Sequence, residues 1–537
     1  MPSTKTAPDL TQPPPDEGLA EKPETESVRS SVDRWVENRR RQIAIGCSIF
    51  AALRIVLFVA LFPVGNNVDE RFHLSTIQMY AEGQIPGRDL PLIDRGALRD
   101  LIRYYSPEYR TADPFERGDA TDLEPLIARS PQEQEEAFTQ KYYADKLRQW
   151  ERRPNYEAHA APLYYLIAAG WYDFGESLGL HTWRLFYWLR SLNAFAYGLF
   201  VWLSFKFASE VYDHTFLSVA IPALLAVFPQ DVFFGLNRDV LSPLLAAGVL
   251  ILMIRVVRDP ARRSSLILAS SLVGLMFLIE VSNFVFFGVL AAMCGLYIAR
   301  SEDVLRKKIR VICVSSAAAT VPPLLWMLRN LRVMGDLTGS SAKVRELGWT
   351  LNPISNLLRH PLFSVSGSIY FLVHLTQSFW RGEYLWHGLP MRSAVADPFY
   401  VVSSAVALIA FLCFVLARWR SLDEIQKWAA LSSLFLVSAS YLFLALISVL
   451  FDYHDCAYPS RLHPFFVSGR IISGVLLPFA LIYSGGLMAV MGKVRRWISP
   501  YAILALLLAF IAVSEVRVRS VVFGSPYNFV ALSGWRL

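Results

Sequence analysis

The fold class is decided by a stretch near the amino terminus, residues 43–64, which reads IAIGCSIFAALRIVLFVALFPV. About 20 consecutive apolar residues of α-helix cross the hydrocarbon core of a bilayer, so this run has the length of a membrane span. Residues 65–80, GNNVDERFHLSTIQMY, follow at once and bring Asp69, Glu70, Arg71 and His73. The sequence therefore predicts a helix across the membrane with a group of charged side chains at its end.

The composition of the whole chain indicates a membrane protein. Of the 537 residues, 54% are hydrophobic and only 18% are charged. A soluble protein of this length could not bury several apolar runs of span length, so we expect an all-α polytopic membrane protein. The net charge of +7 does not indicate nucleic-acid binding, because Lys and Arg collect in the cytoplasmic loops of membrane proteins. The five cysteines are scattered, and their spacing fits neither a zinc site nor a disulfide framework.

Apolar runs recur along the chain and divide it into three parts. We expect about 11 transmembrane helices, with a range of roughly 10 to 13, because runs like the first one continue to residue 514. After residues 43–64, the expected spans are 184–208, 215–227, 240–256, 264–280, 283–299, 311–328, 399–416, 428–450, 471–491 and 500–514. Residues 1–35 are predicted to be a disordered cytoplasmic tail, residues 36–515 the transmembrane domain, and residues 516–537 a C-terminal tail on the outer side.

The distribution of Lys and Arg predicts how the chain is oriented. The basic segments WVENRRRQ, RVVRDPARR, RSEDVLRKKIR, ARWRSLDEIQK and MGKVRRW can all be cytoplasmic only if two ambiguous stretches, 161–178 and 361–379, do not cross the membrane. The N-terminus is then cytoplasmic, and the protein lies in the plasma (inner) membrane of a cell with its large loops outside. These outer loops are residues 65–183, 329–398 and 451–470, and the first is long and aromatic enough to contain interfacial helices.

Polar side chains at the outer ends of the spans are the candidate functional residues. Each has a simple alternative, since loop charges are solvated, Asp239 could cap a helix, and Arg side chains reach lipid headgroups. The predicted orientation nevertheless brings all of them to one face. Acidic and basic groups together suit an anionic lipid headgroup and a polar acceptor. The residues concerned are Asp69, Glu70, His73, His159, Asn237, Asp239, Arg329, Asp336, Arg461 and Arg470.

Several short motifs around these residues resemble those of the GT-C fold glycosyltransferases. VDERFH resembles P-D-E-x-x-H-F, EAHAAPLYYLIAA resembles H-x-P-P-L-Y-Y, and LNRDVLSPLLA resembles N-x-D-x-L. LRNLRVMGDLTG, SFWRGEYLWHGLP and VSGRIISGVLLPFALI resemble later elements of the same superfamily and occur in the same order. The group that the chain resembles most is a bacterial family of predicted membrane proteins related to the protein O-mannosyltransferase and aminoarabinose-transferase branches. Two elements depart from the pattern, since Ala161 replaces a Pro and no Tyr follows Arg470.

The resemblance implies a GT-C-like helical bundle and an inverting transfer of a sugar from a polyprenyl-phosphate donor to a glycan, lipid or protein acceptor. By motif position, Asp69 is the candidate base, Glu70 and Asp239 share the catalytic site, and His73, Asn237 and Asp336 support it. The same comparison assigns the donor phosphate and lipid to Arg329, Arg470, His159 and Arg461. Some relatives use a divalent metal such as Mg²⁺ or Mn²⁺, but this sequence has no strong metal-ligand spacing, which favours a metal-independent enzyme.

Two other functions stay open at this stage. A transporter or flippase of a lipid-linked glycan precursor would carry ionisable residues along its spans or show internal repeats. A non-catalytic assembly subunit would have a decayed site, and it would be favoured if Asp69 and Asp239 lay far apart in the fold.

Overall fold

The structure is a computed structural model that describes residues 31–93, 103–104, 106, 108–109, 148, 150–212, 215–454, 456, 458–492 and 499–534. Most of the predicted disordered tail, 1–35, lies outside these residues, as does the middle of the predicted first outer loop, 65–183.

The described chain is built almost entirely of helices. In chain order they are α1 (Ser31–Leu61), α2 (Glu70–Ala81), α3 (Leu163–Ser177), α4 (Trp183–Val211), α5 (Thr215–Ala226), α6 (Ser242–Arg258), α7 (Arg263–Phe277), α8 (Phe286–Arg300), α9 (Leu305–Met334), α10 (Ser341–Glu346), α11 (Ile354–Leu357), α12 (Val365–Arg381), α13 (Ala396–Arg418), α14 (Glu424–Leu450), α15 (Leu476–Met491), α16 (Pro500–Arg519) and α17 (Phe529–Leu532). Short 3₁₀ helices cover Tyr156–His159, Asp231–Phe234, Arg238–Leu241, Val281–Val285, Pro361–Phe363, Gly469–Val475 and Ser520–Val522.

Strands are confined to two small antiparallel pairs. β1 (Thr350–Leu351) pairs with β4 (Phe451–Asp452), and β2 (Leu385–Trp386) pairs with β3 (Leu389–Pro390). The first pair joins two loops that are far apart in sequence, so it fixes the segment before α12 against the segment after α14.

The predicted membrane spans coincide with helices. Within the described residues, eight helical stretches are long and apolar enough to cross a membrane: Arg34–Leu61, Arg238–Arg258, Val281–Arg300, Leu305–Met334, Ala396–Arg418, Glu424–Leu450, Gly469–Met491 and Pro500–Val522. Two shorter apolar helices, Phe216–Ala226 and Arg263–Phe277, and the long helix α4 cover the other expected spans. The protein is therefore an all-α polytopic membrane protein, as the sequence predicted.

The two ambiguous stretches form helices that are not among these spans. Residues 161–178 contain α3, and residues 361–379 contain a 3₁₀ turn and most of α12. Helix α12 is amphipathic, since Val365 and Ile369 lie on one face whereas Tyr370, His374 and Arg381 lie on another, which lines a cavity. An amphipathic helix of this length suits the membrane surface better than the bilayer centre.

Close helix contacts hold the bundle together around α4 and α15. Helix α1 packs along α4, where Gly198 admits Ala52 and where the Ser48 hydroxyl donates to the Gly198 carbonyl at 2.6 Å. Helix α13 packs along α15, where Gly486 lies against the backbone of Ala407. Small residues at such crossings let two backbones approach, which is how helices pack in lipid. The ends of these helices bring the loops and 3₁₀ turns described next to one place.

Candidate functional site

A cavity of about 510 Å³ lies where α1 has ended and where the spans starting at Arg238 and Gly469 begin. Its wall combines α2, the 3₁₀ turn Tyr156–His159, helices α10 and α12, and the loop that follows α12. The ionisable and aromatic side chains of the wall include Asp69, Arg71, His73, Tyr156, Glu157, Arg238, Lys343, Glu346, Tyr370, His374, Glu383, Arg392, His463 and Arg470.

Asp69 lies in this wall at the residue before α2. Its backbone is left-handed, with φ 60° and ψ 11°, and its carbonyl accepts hydrogen bonds from the amides of Phe72 and His73 at 2.9 and 3.0 Å. The Tyr156 hydroxyl donates to Oδ1 of Asp69 at 2.6 Å, and Oδ2 lies 3.6 Å from Arg470. These two contacts hold the carboxylate of Asp69 in place. Because 22% of the side chain is exposed, the carboxylate still reaches the cavity.

Arg470 joins three carboxylates that are far apart in sequence. It lies 3.1 Å from Asp239, 3.4 Å from Glu383 and 3.6 Å from Asp69. Asp239 is almost completely buried beneath it and is fixed by the side chain of Asn237, which accepts from the Asp239 amide at 2.9 Å. The structure thus brings together Asp69, Asp239 and Arg470, with Asn237 as their support, around one guanidinium group.

Glu70 lies behind the cavity and does not line it. It is 1% exposed and forms a bidentate ion pair with Arg190, in which both nitrogen–oxygen distances are 2.7 Å. It also accepts from the backbone amides of Gly65, Asn66 and Leu236 at 2.7, 3.0 and 2.9 Å. Although burial opposes ionisation, the charge and hydrogen bonds of Arg190 and these amides hold the pKa of Glu70 below its usual value. Its contacts are those of a clamp that fixes the loop carrying Asp69.

His73 belongs to a second buried network in the cavity wall. Its Nδ1 is 2.8 Å from the Tyr165 hydroxyl, which in turn lies 3.4 Å from Glu157. Glu157 also pairs with Arg238 at 3.1 Å and with Lys343. Burial lowers the pKa of His73 to about 4, so the imidazole is neutral near pH 7. Burial raises the pKa of Glu157, but the charges of Lys343 and Arg238 outweigh it and hold that pKa well below the usual range.

Besides Glu70, four further predicted site residues lie away from the cavity. Asp336 closes its own turn by accepting from the amides of Thr338, Gly339 and Ser341 at 2.8, 2.9 and 3.0 Å. The His159 carbonyl lies against Gly339 of that turn, and Arg329 donates to the carbonyl of Pro86. None of these three side chains lines the cavity.

Arg461, the fourth, pairs with Asp452 at 3.0 Å on the surface, where 62% of its side chain is exposed. It also lies outside the cavity wall.

Several residues that the structure places at the site were not predicted from the sequence. Tyr156, Glu157 and Glu383 belong to this group, and each lies inside or next to a quoted motif, EAHAAPLYY or SFWRGEYLWHGLP. Their motif positions were the available signal. Lys343 and the clamp residue Arg190 had none, because their roles depend on contacts over more than a hundred residues of chain.

A metal site is not evident in the described part of the chain, where no three His, Cys, Asp or Glu side chains are grouped as metal ligands. The positive charge between Asp69, Asp239 and Glu383 comes from Arg470.

The fold and the cavity define a polytopic helical membrane protein with a charged chamber at the ends of its spans. A family model described as "Predicted membrane protein (DUF2142)" matches residues 53–454, and the chain belongs to this family. The matched region contains Asp69 and Asp239 and ends before Arg470. Comparisons with curated proteins and with solved structures find no match for this chain.

Proposed function

We propose that this protein is a membrane glycosyltransferase that moves a sugar from a polyprenyl-phosphate donor to a glycan, lipid or protein acceptor. The observation that carries the proposal is the placement of Asp69. Its carboxylate reaches a cavity of about 510 Å³, accepts a hydrogen bond from Tyr156 and lies beside Arg470. A cavity of that volume is large enough for a sugar and part of an acceptor.

Asp69 is suited to act as a general base in such a transfer. The acceptor hydroxyl oxygen would form a bond to the anomeric carbon, and the bond from that carbon to the phosphate oxygen would break. The hydroxyl proton would pass to Asp69, and polyprenyl phosphate would leave with the bonding electron pair. A positioned base of this kind contributes about 10²- to 10⁴-fold to the rate.

Arg470 supports the proposal because its positive charge reduces the repulsion among the carboxylates at the base of the site. Asp69, Asp239 and Glu383 would repel one another without it. Burial raises the pKa of Glu383, and the charge of Arg470 opposes that shift. Glu383 can therefore hold a proton more readily than an exposed Glu, whereas Asp69 remains the accessible carboxylate.

The distance between Asp69 and Asp239 bears on the alternative of a decayed assembly subunit. That alternative is favoured if the two carboxylates are far apart, yet both lie within 3.6 Å of the same guanidinium group. The proposed orientation, with the N-terminus in the cytoplasm and the cavity on the outer face of the plasma membrane, has its support in the Lys and Arg pattern of the loops.

The test is complementation of a deletion strain. The gene is deleted, surface glycans and glycolipids are profiled by mass spectrometry, and wild type, Asp69→Asn or Asp336→Asn is restored at matched protein levels. We expect the deletion to remove a sugar that wild type and Asp336→Asn restore and that Asp69→Asn does not. Equal restoration by Asp69→Asn would favour a transporter or an assembly subunit.

A further inference from the structure

One wall of the cavity carries basic side chains without acidic partners. Arg392, His374 and His463 line this wall. Among the described residues, no carboxylate lies within ion-pair distance of any of them, whereas the neighbouring Arg381 pairs with Asp397 at 3.0 Å. An unpaired cluster of this kind attracts an anion.

The ring of Tyr370 organises this basic wall. Its centroid lies 4.0 Å from the ring of His374 and 5.8 Å from the ring of His463, and the second pair is stacked at 11°. Phe465 packs on Tyr370 at 4.9 Å. Burial, and after it the positive charge of Arg392, lower the pKa of His374, so the charge of Arg392 acts on this side chain.

The other basic groups named in the cavity wall are already engaged. Arg470 contacts three carboxylates, Arg238 lies between Glu157 and Glu280 at 3.1 and 2.5 Å, and Lys343 pairs with Glu157. These cations stabilise buried carboxylates and would have to break those pairs to bind a phosphate. The cavity wall thus has cations engaged by carboxylates, such as Arg470, and basic side chains outside ion-pair distance of a carboxylate among the described residues, such as Arg392.

The side of α12 that faces away from the cavity is apolar. On α12, Tyr370 and His374 face the cavity, whereas Val365, Ile369 and Leu372 are spaced to project from roughly the opposite face of the helix. These three side chains are 78%, 56% and 50% exposed. Since the chain spans a membrane, acyl or prenyl chains are the natural contact for this face.

We propose that Arg392, His374 and His463 bind the phosphate group of a prenyl lipid whose chain lies along α12. The choice of a prenyl lipid rests on the proposed function. The phosphate oxygens would accept hydrogen bonds from the guanidinium group and the imidazoles, and the sugar would extend towards Asp69. This differs from the sequence-based assignment of the donor phosphate to Arg329, Arg470, His159 and Arg461.

The experiment measures lipid binding by the full chain in nanodiscs, with a radiolabelled polyprenyl phosphate as probe. Charge-assisted hydrogen bonds are worth about 1.5–3 kcal/mol, so we expect Arg392→Gln to weaken binding about 10- to 100-fold. His374→Gln should weaken it by a smaller factor. Arg345→Gln, which removes an exposed Arg outside the cavity wall, should bind as wild type does.

Competitors identify the source of the phosphate. Unlabelled polyprenyl phosphate should displace the probe, whereas polyprenol, inorganic phosphate and phosphatidylglycerol at equal concentration should not. The proposal would be overturned if any of these three competitors displaced the probe as effectively as polyprenyl phosphate does. It would also be overturned if Arg392→Gln bound the probe as tightly as wild type does.

Turnover is not needed for this measurement, so it is independent of the proposed transfer. Wild-type binding that is lost in Arg392→Gln would therefore support the phosphate site even if no sugar transfer were found.

Discussion

Substitution of Glu70 in the Glu70–Arg190 ion pair distinguishes a structural role of this carboxylate from a catalytic one. Both side chains are about 1–2% exposed, and Glu70 accepts three backbone amides in addition to the guanidinium group. Glu70→Gln leaves the guanidinium group of Arg190 buried without a counter-charge. Two carbonyls, of Phe62 and Pro63, remain as its acceptors at 2.7 and 2.8 Å.

The expected loss is large for a single substitution. Removing one partner of a buried ion pair costs about 3–5 kcal/mol, because the other charge stays in a low-dielectric environment. The amide of Gln can still accept from some of the backbone amides, so the cost of losing those hydrogen bonds adds little. Glu82→Gln is the matched control at the other end of α2, where the side chain is exposed and we expect a change within about 0.5 kcal/mol.

The assay is unfolding of the purified protein in a denaturing detergent, followed by tryptophan fluorescence. A double-mutant cycle with Arg190→Gln should give a coupling free energy of about 2–3 kcal/mol, since each single change leaves the other charge unpaired. If Glu70→Gln unfolds at the same detergent fraction as wild type, the clamp assigned to this residue is wrong, and the carboxylate is free for a catalytic role.

Further predictions concern pH and backbone geometry. The pKa of His73 is lowered from 6.5 to about 4 in the folded protein. Between these two pH values the unfolded chain binds a proton that the folded chain does not bind. Wild type therefore loses up to about 3 kcal/mol of stability as the pH falls from 6.5 to about 4. His73→Gln should lack this loss, and thermal unfolding at pH 7 and 4.5 would show it; equal acid sensitivity would contradict the assignment. Gly382 has φ 92° and lies against the Asp231 carboxylate, which accepts from the amides of the next two residues. Gly382→Ala should therefore cost more than the about 1–3 kcal/mol of backbone strain alone, whereas Gly388→Ala, with φ 75° and open space around it, should cost only the strain. Equal melting temperatures for the two variants would refute the contact with Asp231.

The sequence was sufficient for the helices because their signal is local. Long apolar runs such as 43–64 predict a span from composition alone, and each expected span falls on a helix. The Lys and Arg pattern of the loops predicted that residues 161–178 and 361–379 do not cross the membrane. Their helices, α3 and α12, are not among the span-length apolar helices.

The site was predictable only where a motif marked it. Asp69, Asp239 and Arg470 each stand in a motif, and the structure brings them together. The contacts of Glu70 could not be predicted, because the sequence does not show which of the adjacent residues Asp69 and Glu70 is buried and which is accessible. Arg392 was also missed, since its importance comes from having no carboxylate within ion-pair distance among the described residues rather than from its neighbours in sequence.

Release of polyprenyl phosphate is the measurement that shows whether Asp69 acts in sugar transfer at the cavity. Wild type and Asp69→Asn are reconstituted in liposomes with lipid-linked sugars and acceptors extracted from the host membrane. Asn tolerates the left-handed backbone of residue 69, so the variant should fold and bind lipid as wild type does. We expect wild type to release polyprenyl phosphate at about 10²- to 10⁴-fold the rate of Asp69→Asn. Release at equal rates from the two proteins would contradict this expectation.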